Sequence, residues 1–249
     1  MGKFFDSMPK HVMAQIPQQK MFWVATAPSQ GGHVNLSPKG LEGTFHIIDE
    51  HTVWYEDLTG SGNETVSHLR ENGRITILFN FFDGPPGLIR LFGKGHAHEF
   101  GTQKYNELIP AEKRQPGSRA VIIVDVTKVG TSCGYQVPFY QFVGHRTRLL
   151  EWASKKEKAD IENQGCKNGM REYWATTNEK SVDGLPGMID AVRAEDGFLQ
   201  GPRLGPFKKD DERVKASRSC DIKTLVDLKT MTGFVLGVVA SLAYRHLLV

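Results

Sequence analysis

Thr52-Val53-Trp54-Tyr55-Glu56-Asp57, then Thr59-Gly60-Ser61-Gly62-Asn63-Glu64-Thr65, then Val66, Leu69 and Arg70 running to Asn72-Gly73, read as strand, turn and short helix. The first run is rich in β-formers, the spacing of Val66 and Leu69 suits one helical face, and Asn72-Gly73 ends it. The turn between them has the chemistry of an anion site. Its glycines allow close backbone approach, the hydroxyls of Thr59, Ser61 and Thr65 can donate, and a helix start offers free N–H groups at the positive end of its dipole. Plain turn chemistry ahead of a capped helix is the alternative reading of the same residues.

Outward from this unit the chain reads as a succession of short strands. They are expected at Met21 to Ala27, His33 to Ser37, Phe45 to Ile48, Thr52 to Glu56, Arg74 to Phe81, Leu88 to Ala97 and Ala120 to Val126. Six or seven such strands with tight turns and few long helices predict a mainly β chain with flanking helices, closed into an antiparallel barrel. Helices are expected over 6–20, 101–114, 142–165 and 170–180. The organisation that follows is a barrel domain over 1–150, a helical extension packed on it over 151–196, and a linker over 197–229. The linker rests on the glycines, prolines and clustered charge of that stretch.

Residues 230–249 stand apart as an apolar C-terminal helix. Thr230 to Tyr244 carries no charged side chain, and Gly233, Gly237 and Ser241 recur every fourth residue, a small-residue stripe of the kind on which membrane helices pack. The run is short of the ~20 apolar residues that a spanning helix uses unless Arg245 snorkels and Leu247-Leu248-Val249 count. A membrane tail anchor facing the cytosol and a helix docked on the core are both open.

Composition bounds the partners. Across 249 residues, 31 basic and 28 acidic side chains leave a net charge of +3, too small and too scattered for a nucleic-acid surface. Cys133, Cys166 and Cys220 are odd in number and widely spaced, which fits a reducing, cytoplasmic setting and neither a disulfide framework nor a metal knuckle. The N-terminus lacks the apolar core of a signal peptide.

The order of the turn-helix at Thr59 to Asn72, the strand Arg74 to Phe81, Gly84-Pro85-Pro86-Gly87 and Ile89-Arg90-Leu91-Phe92-Gly93-Lys94-Gly95 resembles the pyridoxamine 5′-phosphate oxidase-like superfamily of FMN-binding split barrels. His33 to Gly40, Ser132 to Pro138 and Asn178 to Gly187 are similar to an uncharacterised subgroup of it, so the likeness spans roughly residues 1 to 190. The resemblance implies a six-stranded antiparallel split barrel that forms a homodimer, with FMN between the subunits and its phosphate near the turn. It implies Ser61, Asn63 and Thr65 as phosphate neighbours, with Lys39 and Arg90 as candidate cations. Deazaflavin and haem are the other ligands of the wider superfamily.

Where true pyridoxamine phosphate oxidases carry a basic pair, this sequence has Glu64 and Thr65. An acidic side chain beside a dianion repels it, so Glu64 is expected to cap the helix or face solvent, and vitamin B6 oxidation is not expected. The resemblance thus implies a flavin-dependent oxidoreductase acting on an unidentified small molecule. A cofactor-binding or sensing module without turnover is the alternative, since fold alone confers no reaction. Catalytic side chains are not identified. His96 and His98 share a strand face but have no third ligand at a telling distance, so no metal site is expected. Ser67 and His68 point in different directions on a helix and make no dyad.

Overall fold

Burial alternates along β2 (Met21–Thr26), which turns Phe22, Val24 and Thr26 to the core and leaves Met21, Trp23 and Ala25 half-buried. The structure, a computed structural model, describes residues 2–163, 166–194 and 197–198. With β1 (Lys3–Phe5), β3 (Asn35–Gly40), β4 (Phe45–Ile47), β5 (Thr52–Leu58), β6 (Arg74–Asn80), β7 (Leu88–Glu99) and β8 (Ser118–Ser132), β2 forms one eight-stranded antiparallel sheet. Its order is β3-β2-β6-β7-β8-β5-β4, with β1 pairing β8.

The path is open, and aromatic packing curls it. Phe45 of β4, at one end, meets Phe22 of β2 at 5.0 Å and Phe79 of β6 at 5.1 Å between ring centroids, while Phe22 also meets Tyr55 of β5 at 5.3 Å. Strands distant in the hydrogen-bonded order therefore touch through side chains across a shared core. Edge-to-face rings of this kind add to the area they bury. The mainly β split barrel expected from the sequence is the fold observed. The expectation of a closed ladder is not, because among the described residues no pairing joins β3 to β4.

Several boundaries move for local reasons. The second strand lies at Asn35–Gly40 rather than His33 to Ser37 and passes through Pro38, which an edge strand tolerates because that position owes no N–H to a neighbour on its free side. The expected helix over 6–20 shrinks to α1 (Lys10–Gln15), with Pro9 at its start and Pro17 in the 3-10 turn that ends it. α2 (Glu64–Glu71) packs Val66 and Leu69 against β2, β6 and β7. The helix expected over 101–114 is α3 (Gln103–Leu108), capped by Thr102, whose hydroxyl accepts from the Tyr105 N–H at 3.4 Å.

Residues 134–147 are irregular, so the helix expected from 142 begins only at α4 (Arg148–Glu162). α4 is tied down by a buried bidentate pair, Arg114 Nη1 to Glu157 Oε2 at 3.0 Å and Nη2 to Oε1 at 2.6 Å. α5 (Met170–Thr177) inserts the buried Trp174, and α6 (Asp190–Arg193) is capped by the buried Glu99 carboxylate, which accepts from the Ile189 and Ala191 N–H groups. Phe198, at the head of the stretch expected as a linker, stacks on Phe100 at 5.0 Å. The remainder of that stretch and the apolar run over 230–249 lie outside the described residues. No helix among the described residues is long and apolar enough to cross a membrane.

Candidate functional site

The turn after β5 is held by its carbonyls. Asn178, just past α5, donates from Nδ2 to the Gly60 carbonyl at 3.0 Å, and Arg119 of β8 donates from Nη1 to the Gly62 carbonyl at 3.0 Å. In a planar trans peptide the next N–H points opposite to the carbonyl, so the Ser61 and Asn63 N–H groups face away from this clamp. Neither they nor the N–H groups of Gly62, Glu64 and Thr65 find an acceptor among the described residues. That is a row of free donors running into the first turn of α2, the arrangement that accepts an anion.

Behind the turn lies a buried charge cluster. Asp57, at the end of β5, is fully buried and accepts from Lys39 Nζ at 2.5 Å through one oxygen and from Arg119 Nε at 2.8 Å through the other. Burial alone would raise its pKa. The two cations and their hydrogen bonds outweigh that and hold it near 2. Arg119 completes its set with Asn178 Oδ1 at 3.0 Å, so one guanidinium binds strand, turn and extension together.

Beside this cluster lies a cavity of about 330 Å³ with Ser37, Lys39, Ser61, Glu64, Thr65 and Arg119 on its wall. An adjoining cavity of about 1010 Å³ has Trp23, Phe81, Phe82, Tyr140 and Phe142 among its lining. The two share Pro38, Lys39, Gly40, Leu58 and Leu149, making one groove with a polar end and an apolar end. Both volumes suit a ligand of cofactor size.

Of the site residues expected from the sequence, Lys39, Ser61 and Thr65 come together in the polar cavity. Asn63 and Arg90 do not line it. Asn63 is buried beneath the 178–188 segment, where its Nδ2 donates to Ser67 Oγ at 3.2 Å and a Cβ on Gly187 would collide with its amide. Its Oδ1 is buried with no partner among the described residues. Arg90 lies on β7 between Leu78 and Gly130 and donates to Ser132 Oγ at 3.3 Å.

The Thr59 hydroxyl is also spent, donating to the Gly117 carbonyl at 2.6 Å and accepting from Trp174 Nε1 at 2.9 Å. Glu64 turns toward the 181–185 turn, where Oε1 accepts from the Val182 N–H at 3.3 Å, and its carboxylate crosses over Gly62, leaving no room there for a Cβ.

Arg119, Asp57 and Asn178 are the residues that sequence reasoning missed. A charge in or beside a β-former run, as at Asp57 after Glu56 and at Arg119 ahead of Ala120-Val121-Ile122, is a usable signal, because a charge inside a sheet needs a partner. No group of three His, Cys, Asp or Glu side chains among the described residues could hold a metal ion. Ser67 and His68 have separate partners, the Leu185 carbonyl at 3.3 Å and Thr26 Oγ1 at 3.0 Å.

Comparison with known proteins gives the same outline. The family described as pyridoxamine 5′-phosphate oxidase matches residues 8–133. The pyridoxamine 5′-phosphate oxidase family protein ustO of Aspergillus flavus is 36% identical over 211 residues, which cover 79% of this chain and 82% of that protein. Among solved structures, HupZ of Group A Streptococcus is 24% identical with a TM-score of 0.40, over 49% of this chain and 92% of that one. An FMN-binding protein of Syntrophomonas wolfei is 13% identical with a TM-score of 0.36, over 47% of this chain and 79% of that one.

Proposed function

The chain belongs to the pyridoxamine 5′-phosphate oxidase family, and on that premise we propose that it binds flavin mononucleotide and serves as a flavin-dependent oxidoreductase. The observation that carries this reading is the two-ended groove. Its polar end offers free backbone N–H groups, the Thr65 hydroxyl, Lys39 and Arg119 to a phosphate, and its apolar end is lined by Trp23, Phe81 and Tyr140, which suit a flat ring. FMN would supply the redox chemistry, and this chain's residues would bind it, orient it and exclude water from it.

The reading does not extend to vitamin B6, because Glu64 and Thr65 stand where a basic pair is expected. A second reading, binding without turnover, is favoured by the commitment of the acid buried behind the turn, Asp57, to two structural cations. We further propose a homodimer: Tyr135, Phe139 and Tyr140 are exposed on the irregular segment bordering the apolar cavity, and a second copy would cover them.

An absorbance spectrum of the purified protein tests the central claim, the expected result being an oxidised-flavin spectrum with FMN identified by mass in the released ligand. A colourless protein showing no tight association with added FMN would sink it. Reduction of the bound flavin by NAD(P)H, followed by reoxidation with an electron acceptor, separates the enzyme from the binding module.

A further inference from the structure

Asn35 is the hub of a hydrogen-bond chain that begins at the polar cavity and ends at a buried imidazole. Ser37 Oγ donates to Asn35 Oδ1 at 2.8 Å, and Asn35 Nδ2 donates to Thr65 Oγ1 at 3.1 Å and to Thr26 Oγ1 at 3.2 Å. Thr26 Oγ1 in turn lies 3.0 Å from His68 Nδ1. Strand register places Asn35 directly opposite Thr26, and alternation along β3 puts Asn35, Ser37 and Lys39 on one face.

The chain has a direction. An amide nitrogen only donates, so both threonine oxygens must accept from Asn35. Burial holds His68 below its usual pKa even though Glu64, Asp183 and Glu71 favour its charged form, so the ring is neutral and Nδ1 can accept. Thr26 Oγ1 and His68 Nδ1 share this bond in a direction set by the ring tautomer, and His68 Nε2 is a buried atom without a partner among the described residues. At the other end, the Thr65 oxygen is occupied by Asn35 while its own proton has no acceptor among the described residues. Thr65 is only 4% exposed, and it lines the cavity.

We propose that Asn35 is a positioning residue that, by donating to the Thr65 oxygen from behind, turns the Thr65 hydroxyl proton into the cavity, so that the site favours an acceptor-only group, a fully ionised phosphate. This rests on the flavin mononucleotide reading and names what discriminates the phosphorylated flavin from its dephosphorylated form. A threonine free to rotate could accept as readily as donate and would not discriminate. Occupying one of its lone pairs from behind biases the hydroxyl toward donation before the ligand arrives.

The test is titration of the full-length protein with FMN and with riboflavin, which lacks only the phosphate, in the wild type, Asn35→Ala, Thr65→Val, Thr65→Ser and the double variant Asn35→Ala/Thr65→Val. Asn35→Ala is expected to weaken FMN about five- to tenfold while leaving riboflavin within about twofold, the scale of one misdirected hydrogen bond to a charged acceptor. Thr65→Val should do the same, Thr65→Ser should retain the preference, and the double variant should be no weaker than Thr65→Val alone.

Equal losses for the two ligands, or additive losses in the double variant, would overturn the proposal by making Asn35 merely structural or independent of Thr65. A wild type that prefers FMN, with Asn35→Ala keeping that preference intact, sinks the role of Asn35 alone. A wild type binding neither flavin sinks the flavin reading itself, and this proposal with it.

Discussion

Lys39 and Arg90 are both basic residues on strands of the same sheet, and the sequence offers both as partners for a phosphate. Lys39 sits on the edge strand β3, on the face it shares with Asn35 and Ser37, and reaches the buried Asp57 beside the turn. Arg90 sits inside the sheet on β7, flanked by β6 and β8, with its side chain directed to Ser132. A strand fixes which face a residue uses. It does not fix which part of a curled sheet that face overlooks, and only the first of these cations overlooks the turn.

The largest effect that bears on this contrast comes from the cation beneath both ends of the turn. Arg119→Met leaves a fully buried carboxylate with one partner instead of two, at a cost of about 3 kcal/mol of folding stability, measurable by chemical denaturation. Little change would mean that Lys39 alone compensates Asp57, which would sharpen its lead over Arg90.

Acid comes next. With its pKa lowered from 3.8 to about 2, Asp57 contributes stability that is fully present above about pH 4 and is lost as the pH falls through about 2. The loss is on the order of 2 kcal/mol, and it should be absent from the acid-denaturation profile of Asp57→Asn.

Smaller still is the direct comparison of ligand affinity. Lys39→Met should weaken FMN about tenfold and Arg90→Met by less than about twofold, because only a charge-assisted contact carries the larger figure. Equal losses by fluorescence titration would break the comparison and place Arg90 at the site of a second copy of the chain. The smallest effect has the opposite sign. Glu64→Gln removes a carboxylate from the cavity wall and should strengthen FMN binding about twofold to fivefold, within the range for a partly screened like charge. Weaker binding in that variant would show that the Glu64 bond to Val182 orders the turn more than its charge opposes the ligand.

Local pattern carried far in this chain because most of its elements are short. The apolar runs Met21 to Ala27 and Arg74 to Phe81 predict β2 and β6 within a residue, since a short run of β-formers bounded by turn residues needs no knowledge of neighbours. The edge strand at Pro38 was misplaced because tolerance of proline depends on which side of the strand is unpaired, a tertiary fact. That Ser61 and Thr65 share a cavity wall was legible because turn and helix start are adjacent in sequence. The place of the Asn63 side chain was not legible, because residues 178–188, distant in sequence, cover it.

By itself the sequence determined the strand-turn-helix unit and the family to which the chain belongs, because each rests on the order of nearby residues. Only the tertiary structure decided that Asp57, Arg119 and Asn178 hold the turn, with Asn178 separated by 118 residues from the Gly60 carbonyl that accepts its amide proton. It also decided that the turn shares a cavity with Lys39 and not with Arg90. Buried charges and carbonyls must find partners wherever the fold brings them, and that pairing is set by sheet register and curl, which no local run of residues encodes.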